Sequence, residues 1–302
     1  MTLLIPTDDA HNPPRALSAS GAYDAPMDPD ATLAALADDP FTDVDLAELS
    51  LRLAVDEYPN LDVAKYLRRL DALTAEVAPR VARARTLDDK VTELAHFLFI
   101  EEEFDGNAAA YYDPRNSYLN DVLDRKLGIP LSLSVLAIRV GAGCGLHVVG
   151  VGLPGHFVAK AIDADGGAVL FDPFHAGQIL DPTACEELVS AVTGHPFYAT
   201  EDSLAATPPG HLVQRMLNNL KAVYLRAPDF PRAARVIRRL IQLVPDDLTQ
   251  RRDLGVSLVH ADQPGPAIDH LNAYLAGMPT ADDTDVVRGF LKDARKQVAR
   301  WN

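Results

Sequence analysis

Apolar residues recur at helical spacing in the first third of the chain. Leu46, Leu49, Leu51, Leu53 and Ala54 form one such set, and Val63, Tyr66, Leu67, Leu70 and Leu73 a second. A third helix is predicted from Leu87 to Glu101. From Leu146 to Pro173 the pattern changes to short apolar runs, Val148 to Leu153, Phe157 to Ile162 and Ala168 to Phe171. The turn-forming string Asp163-Ala164-Asp165-Gly166-Gly167 separates the last two. This predicts a small antiparallel meander. Beyond the Pro-rich passage Thr207-Pro208-Pro209-Gly210 only helical periodicity remains, so a domain boundary is placed there.

The helical tail repeats. Pro245 and Pro279 are 34 residues apart, and the same offset relates Ala233 to Ala267, Ile237 to Leu271, Ile241 to Leu275, Leu220 to Leu254, Tyr224 to Leu258 and Leu225 to Val259. The expected result is two helix-turn-helix units of tetratricopeptide length, with a final helix from Val286 to Trp301 as a cap. A pair of repeats is short for a free-standing array, so the first unit must lean on the upstream domain.

Composition adjusts this picture at the N-terminus. Residues 1–40 carry seven Asp and six Pro against one Arg, with few large apolar residues, and read as a disordered acidic leader. The expected layout is therefore a leader over 1–40, a core over 41–206 and repeats over 207–302. The formal charge of -15 would repel phosphate backbones and anionic lipid, and no apolar run approaches the roughly 20 residues of a membrane span, so neither nucleic acid nor membrane is an expected partner. Two cysteines, Cys144 and Cys185, form neither a disulfide framework nor a zinc set and point to a reducing, cytoplasmic setting.

Four strings between 111 and 174 carry the chemistry: Tyr-Tyr-Asp-Pro-Arg-Asn-Ser-Tyr-Leu-Asn (111 to 120), Gly-Ile-Pro-Leu-Ser-Leu-Ser (128 to 134), Gly-Val-Gly-Leu-Pro-Gly-His-Phe (150 to 157) and Phe-Asp-Pro-Phe (171 to 174). In this order the chain resembles the SirB-type regulators of bacteria, in which a transglutaminase-like core precedes tetratricopeptide repeats, and a segment of some eukaryotic F-box proteins. The resemblance implies an α+β class: a helix-rich, papain-like core with a small antiparallel sheet, followed by an all-α repeat region.

Active members of the superfamily place a cysteine at a helix N-terminus, with a histidine as base and a carboxylate that orients it. Here the resemblance puts Pro130 at the cysteine position, where proline suits the first helical turn but offers no nucleophilic atom. If Ile162 pairs with Ala168, His156 and Asp172 become diagonal neighbours with β-carbons about 7 Å apart or less. They read either as a vestigial catalytic pair or as a hydrogen-bonded core pair. Ser132, one turn into the helix, is the candidate replacement nucleophile, with capping of that turn as its structural alternative. A metal on His156, Asp172 and His175 fits in ligand type but nothing in the sequence specifies the geometry, so no metal and no cofactor is expected.

Arg115, Asn116 and Asn120 border the cleft by resemblance, whereas residue types alone let Asn116 or Ser117 cap the next helix. Lys221, Arg251 and Arg252 are candidate groove cations for an acidic peptide, or a solvated face. The leading expectation is a non-catalytic, pseudoenzyme regulator that binds a protein or peptide through the old cleft and the repeat groove. The alternative is a hydrolase or acyltransferase using Ser132 with His156 and Asp172. Oligomeric state is left open.

Overall fold

The computed structural model describes residues 26–301. Most of the leader expected over residues 1–40 lies outside them, but the part from Pro29 to Asp38 is not disordered: it is a helix, α1. Asp28 caps it and Pro29 opens it, while Leu33 and Leu36, three residues apart, are buried. Acidic composition concealed a two-leucine stripe that docks on the repeats.

The core begins with α2 (Leu46–Ala54), α3 (Val63–Arg83) and α4 (Leu87–His96), each started by an Asp or Thr side chain that accepts from a first-turn N–H. A π turn over Phe97–Glu101 extends α4 to the predicted end. Strand β1 (Asp105–Gly106) pairs in parallel with β2 (Leu127–Gly128), and α5 (Leu119–Arg125) lies between them in sequence. Helix α6 (Pro130–Gly143) is buried along most of its length, with Pro130 as its first residue and Cys144 as its C-cap.

The meander comprises β3 (His147–Leu153), β4 (His156–Ile162) and β5 (Ala168–Asp172), with a further short strand β6 (Gln178–Leu180) that periodicity did not predict. The order is β3-β4-β5-β6, all antiparallel, and Ile162 pairs with Ala168 as the turn chemistry required. One face carries Val148, Phe157, Ala159, Ala161 and Phe171 into the main core. The other carries Val151, Leu153, Val158 and Leu170 against Cys185 and Val189 of α7 (Pro182–Thr193).

The tail forms α8 (Pro209–Arg226), α9 (Phe230–Leu243), α10 (Leu248–His260), α11 (Pro264–Gly277) and α12 (Thr284–Trp301). Ala233 and Ala267, related by the repeat offset, are both fully buried. A Cβ at Gly255 would stand 2.6 Å from Leu271 Cδ2, which shows how closely α10 and α11 approach. The first unit leans on the core: α1 packs on α8 and α9, and the Gly210 N–H donates to Pro40 O at 2.9 Å. Among the described residues no helix is long and apolar enough to cross a membrane.

Candidate functional site

The β3–β4 hairpin turns through Pro154 and Gly155, with Gly155 at φ +71°, and this places His156 opposite Leu153 at the sheet end. Asp172 closes β5 on the neighbouring strand. His156 Nε2 and Asp172 Oδ2 are 2.8 Å apart, both side chains buried, so the diagonal relation expected from register is realised as a hydrogen bond. His175 Nδ1 reaches the same Oδ2 at 2.7 Å, and the Phe174 N–H donates to Oδ1 at 2.9 Å.

Burial alone would raise the Asp172 carboxyl pKa, but the hydrogen bonds from His156, then His175 and Phe174, hold it below the usual carboxylate value. Asp172 is therefore an acceptor only, and the ring nitrogens that face it both carry protons. With Nε2–H donating to Asp172, Nδ1 is the His156 ring nitrogen turned away from the carboxylate. The imidazole and the carboxylate that orients it are assembled.

The nucleophile is not. Pro130 opens α6 and has no reactive atom. Ser132 Oγ lies 2.6 Å from Asn116 O and 3.2 Å from Ile129 O, and it accepts from the Ile129 N–H at 3.1 Å. Its hydroxyl is thus committed to backbone, as half of a capping box on the first turn of α6. Ser134 is likewise bonded, to Pro130 O at 2.8 Å. Among the described residues neither serine is bonded to His156; both hydroxyls are bonded to backbone. Burial pushes both thiols up to about 11, which disfavours the thiolate at half-buried Cys144 and buried Cys185. Ser132→Ala is expected to cost about 1 kcal/mol through the lost cap, read from a urea midpoint, with the Asp172-bonded proton of His156 unchanged.

His156, Asp172 and His175 bring three ligand atoms within 4.8 Å, the set considered and set aside on sequence grounds. One carboxylate oxygen accepting from two imidazoles accounts for that convergence without an ion.

Around the pair stands an aromatic wall. Phe174 meets His156 edge-on at 6.0 Å, His175 at 5.2 Å and Tyr111 at 6.1 Å between ring centroids. The same Phe174 ring lies against Gly106, where a Cβ would come within 2.6 Å of it. The sequence analysis assigned no role to this wall, although Tyr111 and Phe174 sit inside the quoted strings.

The remaining candidates separate. Asn116 is fully buried, donates to Ala110 O at 2.8 Å and Tyr111 O at 3.2 Å, and accepts from Asn107 Nδ2 at 2.9 Å, so it shapes the loop that presents Tyr111. Neither it nor Ser117 caps α5; Tyr118 occupies that position without a side-chain bond. Arg115 is turned back onto Asp113 at 2.7 Å. Asn120 is buried with an unpartnered Oδ1 among the described residues.

In the repeats, Lys221 pairs with Asp253 and Gln250, and Arg252 pairs with Asp253 at 2.8 Å and Asp283 at 2.7 Å. Lys221 thus ties α8 to α10, across the two repeat units, and Arg252 ties α10 to the residue before α12, so neither is a free groove cation. Arg251 makes no ion pair among the described residues.

Comparison with known proteins agrees with this architecture. A transglutaminase-like superfamily profile matches residues 64–218 and a tetratricopeptide repeat profile residues 220–292. A UPF0162 protein of Xylella fastidiosa strain Temecula1 is 34% identical over 254 residues, covering 82% of this chain and 89% of the relative. A UPF0162 protein of Pseudomonas aeruginosa is 29% identical over 72% of this chain and 78% of its own length. Human F-box only protein 21 is 25% identical over 60% of this chain and 30% of its own. No solved structure matches. With a profile spanning just over half its length and a relative of this identity and coverage, the chain belongs to the transglutaminase-like superfamily, in the UPF0162 group, and carries tetratricopeptide repeats behind that domain.

Proposed function

We propose that the protein is a non-catalytic member of its superfamily, a cytoplasmic regulator that binds a protein or peptide partner through the aromatic-walled cleft and the repeat surface. The observation that carries this reading is Pro130 at the start of α6, with the nearest candidate substitute, Ser132, bonded to backbone. Acyl transfer needs an activated nucleophile beside its base, and the His156–Asp172 pair has none bonded to it among the described residues. The pair persists as a buried polar clamp under a binding face.

Tyr112 and Arg251 mark the two faces. Tyr112 is 53% exposed beside Tyr111, and the Arg226 guanidinium lies 4.2 Å from its ring. Tetratricopeptide units commonly serve protein partners, and the charge of the chain disfavours nucleic acid. The unpaired cysteines fit a reducing compartment.

A photo-crosslinking residue placed at Tyr112, at Arg251 and, as a surface control, at Arg83 tests the reading in native lysate. Selective crosslinks to one protein from Tyr112 or Arg251 are the expected result. Equal labelling from all three positions would remove the case for either surface.

A further inference from the structure

Arg215 of α8 is the strongest unexplained feature of the molecule. It belongs to the first repeat helix, yet its guanidinium Nη2 donates to Leu153 O at 3.1 Å and to the carbonyl of His156, the two residues that close the β3–β4 hairpin. The guanidinium carbon also lies 5.2 Å from the Phe157 ring. Among the described residues it has no carboxylate partner, although the protein carries 43 acidic residues. Burial pulls its pKa below the ordinary arginine value, against a smaller opposing influence of Tyr111. A half-buried cation held only by carbonyl dipoles and a ring is costly, and a surface clamp could have been made by a neutral side chain.

The strand beside it is built to admit it. Thr207 accepts from the Gly152 N–H at 2.9 Å through Oγ1, and its own N–H donates to Gly150 O at 2.8 Å, so the segment entering α8 covers the free edge of β3. A Cβ at Gly152 would lie 3.0 Å from Arg215 Nη1 and 3.2 Å from Thr207 Oγ1, and one at Gly150 would lie 3.1 Å from Leu212 Cδ1. Gly152 leaves room for Arg215 and Thr207, while Gly150 makes room first for the Phe157 ring, at 2.5 Å, and then for Leu212. The superfamily match runs to residue 218, past Arg215 and into α8.

We infer that Arg215 is a positioning residue through which the first repeat helix sets the placement of His156, so that the cleft and the repeat surface form one mechanical unit. Arg215 grips the backbone of His156 from one side while Asp172 grips its ring from the other. A partner that shifts α8 by an ångström would move the first grip and not the second, and the imidazole would turn. The inference does not depend on whether the cleft binds or catalyses. It therefore survives the loss of the proposed function, and the reverse also holds.

The test is the Asp172-bonded ring N–H proton of His156, observed by proton NMR in the full-length protein with its assignment fixed by loss in His156→Gln. Arg215→Met keeps the stem packed on Phe157 and removes the donors. The expected result is a protein that melts cooperatively but whose ring proton exchanges with water at least ten-fold faster. Arg215→Lys keeps the charge without the fork and is expected to restore part of the protection. Arg239→Ala, which loosens the repeats away from the hairpin, is expected to leave the proton unchanged. An unchanged ring proton in folded Arg215→Met overturns the inference, as does equal loss in Arg239→Ala. If neither Arg215 variant folds, the residue is a part of the core rather than a positioning device, and the inference is again overturned.

Discussion

Replacing Asp172 by alanine is expected to destabilise the protein by about 3 kcal/mol, the cost of removing a buried charged acceptor and leaving its donors unpaired. Asp172 is 1% exposed and serves His156 Nε2, His175 Nδ1 and the Phe174 N–H together, so its removal leaves three donors without their acceptor. Asp172→Asn keeps one acceptor and should cost less, about 1 to 2 kcal/mol. The sign of the pH dependence follows from the lowered carboxyl pKa. Stability from this group is fully present above the unfolded value near pH 4 and is lost as pH falls through the lower folded value. Asp113 and Asp247 are depressed in the same direction, so the informative quantity is the difference between wild type and Asp172→Asn in urea midpoints from pH 6 to pH 2. That difference should shrink with acid; a difference independent of pH would mean Asp172 is not ionised in the folded state.

A chain ended at residue 206 is expected to lose cooperative unfolding altogether. The seam behind it is apolar and continuous: Leu212, Val213, Leu217 and Leu220 of α8 are buried in the same cluster as Tyr118, Phe157 and the core helices. Each large side chain left bare forfeits roughly 1.5 to 3 kcal/mol, and several together exceed the 5 to 15 kcal/mol margin of an ordinary domain. Polar contacts cross the seam as well. Tyr118 and Tyr224 hydroxyls meet at 2.9 Å, Arg239 forks onto Asp56 at 2.8 and 3.0 Å, and Arg232 and Arg235 both reach Glu57 at 2.8 Å. Calorimetry of residues 26–206 should show no transition, while a fragment ended at 226, which retains α8, should regain one. A cooperative melt of the shorter fragment within a few degrees of the full chain would contradict the continuity of the core.

Much of this architecture was legible in the chain because it rests on local chemistry. The 34-residue offset located both repeat units, since close helix packing demands small residues such as Ala233 and Ala267 at fixed places. The hairpin register followed from one turn: the Asp163 side chain accepts from the Asp165 and Gly167 N–H groups, and that fixes Ile162 against Ala168 and hence His156 beside Asp172. Pairings between distant segments were not legible. Arg215 lies on a helix whose sequence offers no sign that its partners are carbonyls 59 and 62 positions away. Lys221 and Arg252 looked like free cations until Asp253 and Asp283 came beside them through repeat stacking. Helix α1 was hidden by its own acidity, because two leucines suffice once a groove between α8 and α9 exists to receive them.

The oriented imidazole has a structural role of its own. His156 and Asp172 lie at the ends of adjacent strands, and their mutual bond, with Arg215 on the backbone and Phe174 edge-on to the imidazole, closes one end of the sheet. Removing the pair would cost stability even if no substrate ever reached it.

Covalent labelling tests the central claim most directly. The folded protein and His156→Ala would be incubated with a serine-directed fluorophosphonate and a thiol-directed chloroacetamide, and intact masses compared. The account predicts no His156-dependent adduct, because Pro130 cannot react, Ser132 is bonded to Asn116 O, Cys185 is buried and half-buried Cys144 sits at the far end of α6 with its thiol pKa raised. A stoichiometric adduct on Ser132 that disappears in His156→Ala would contradict it and restore the site as an enzyme.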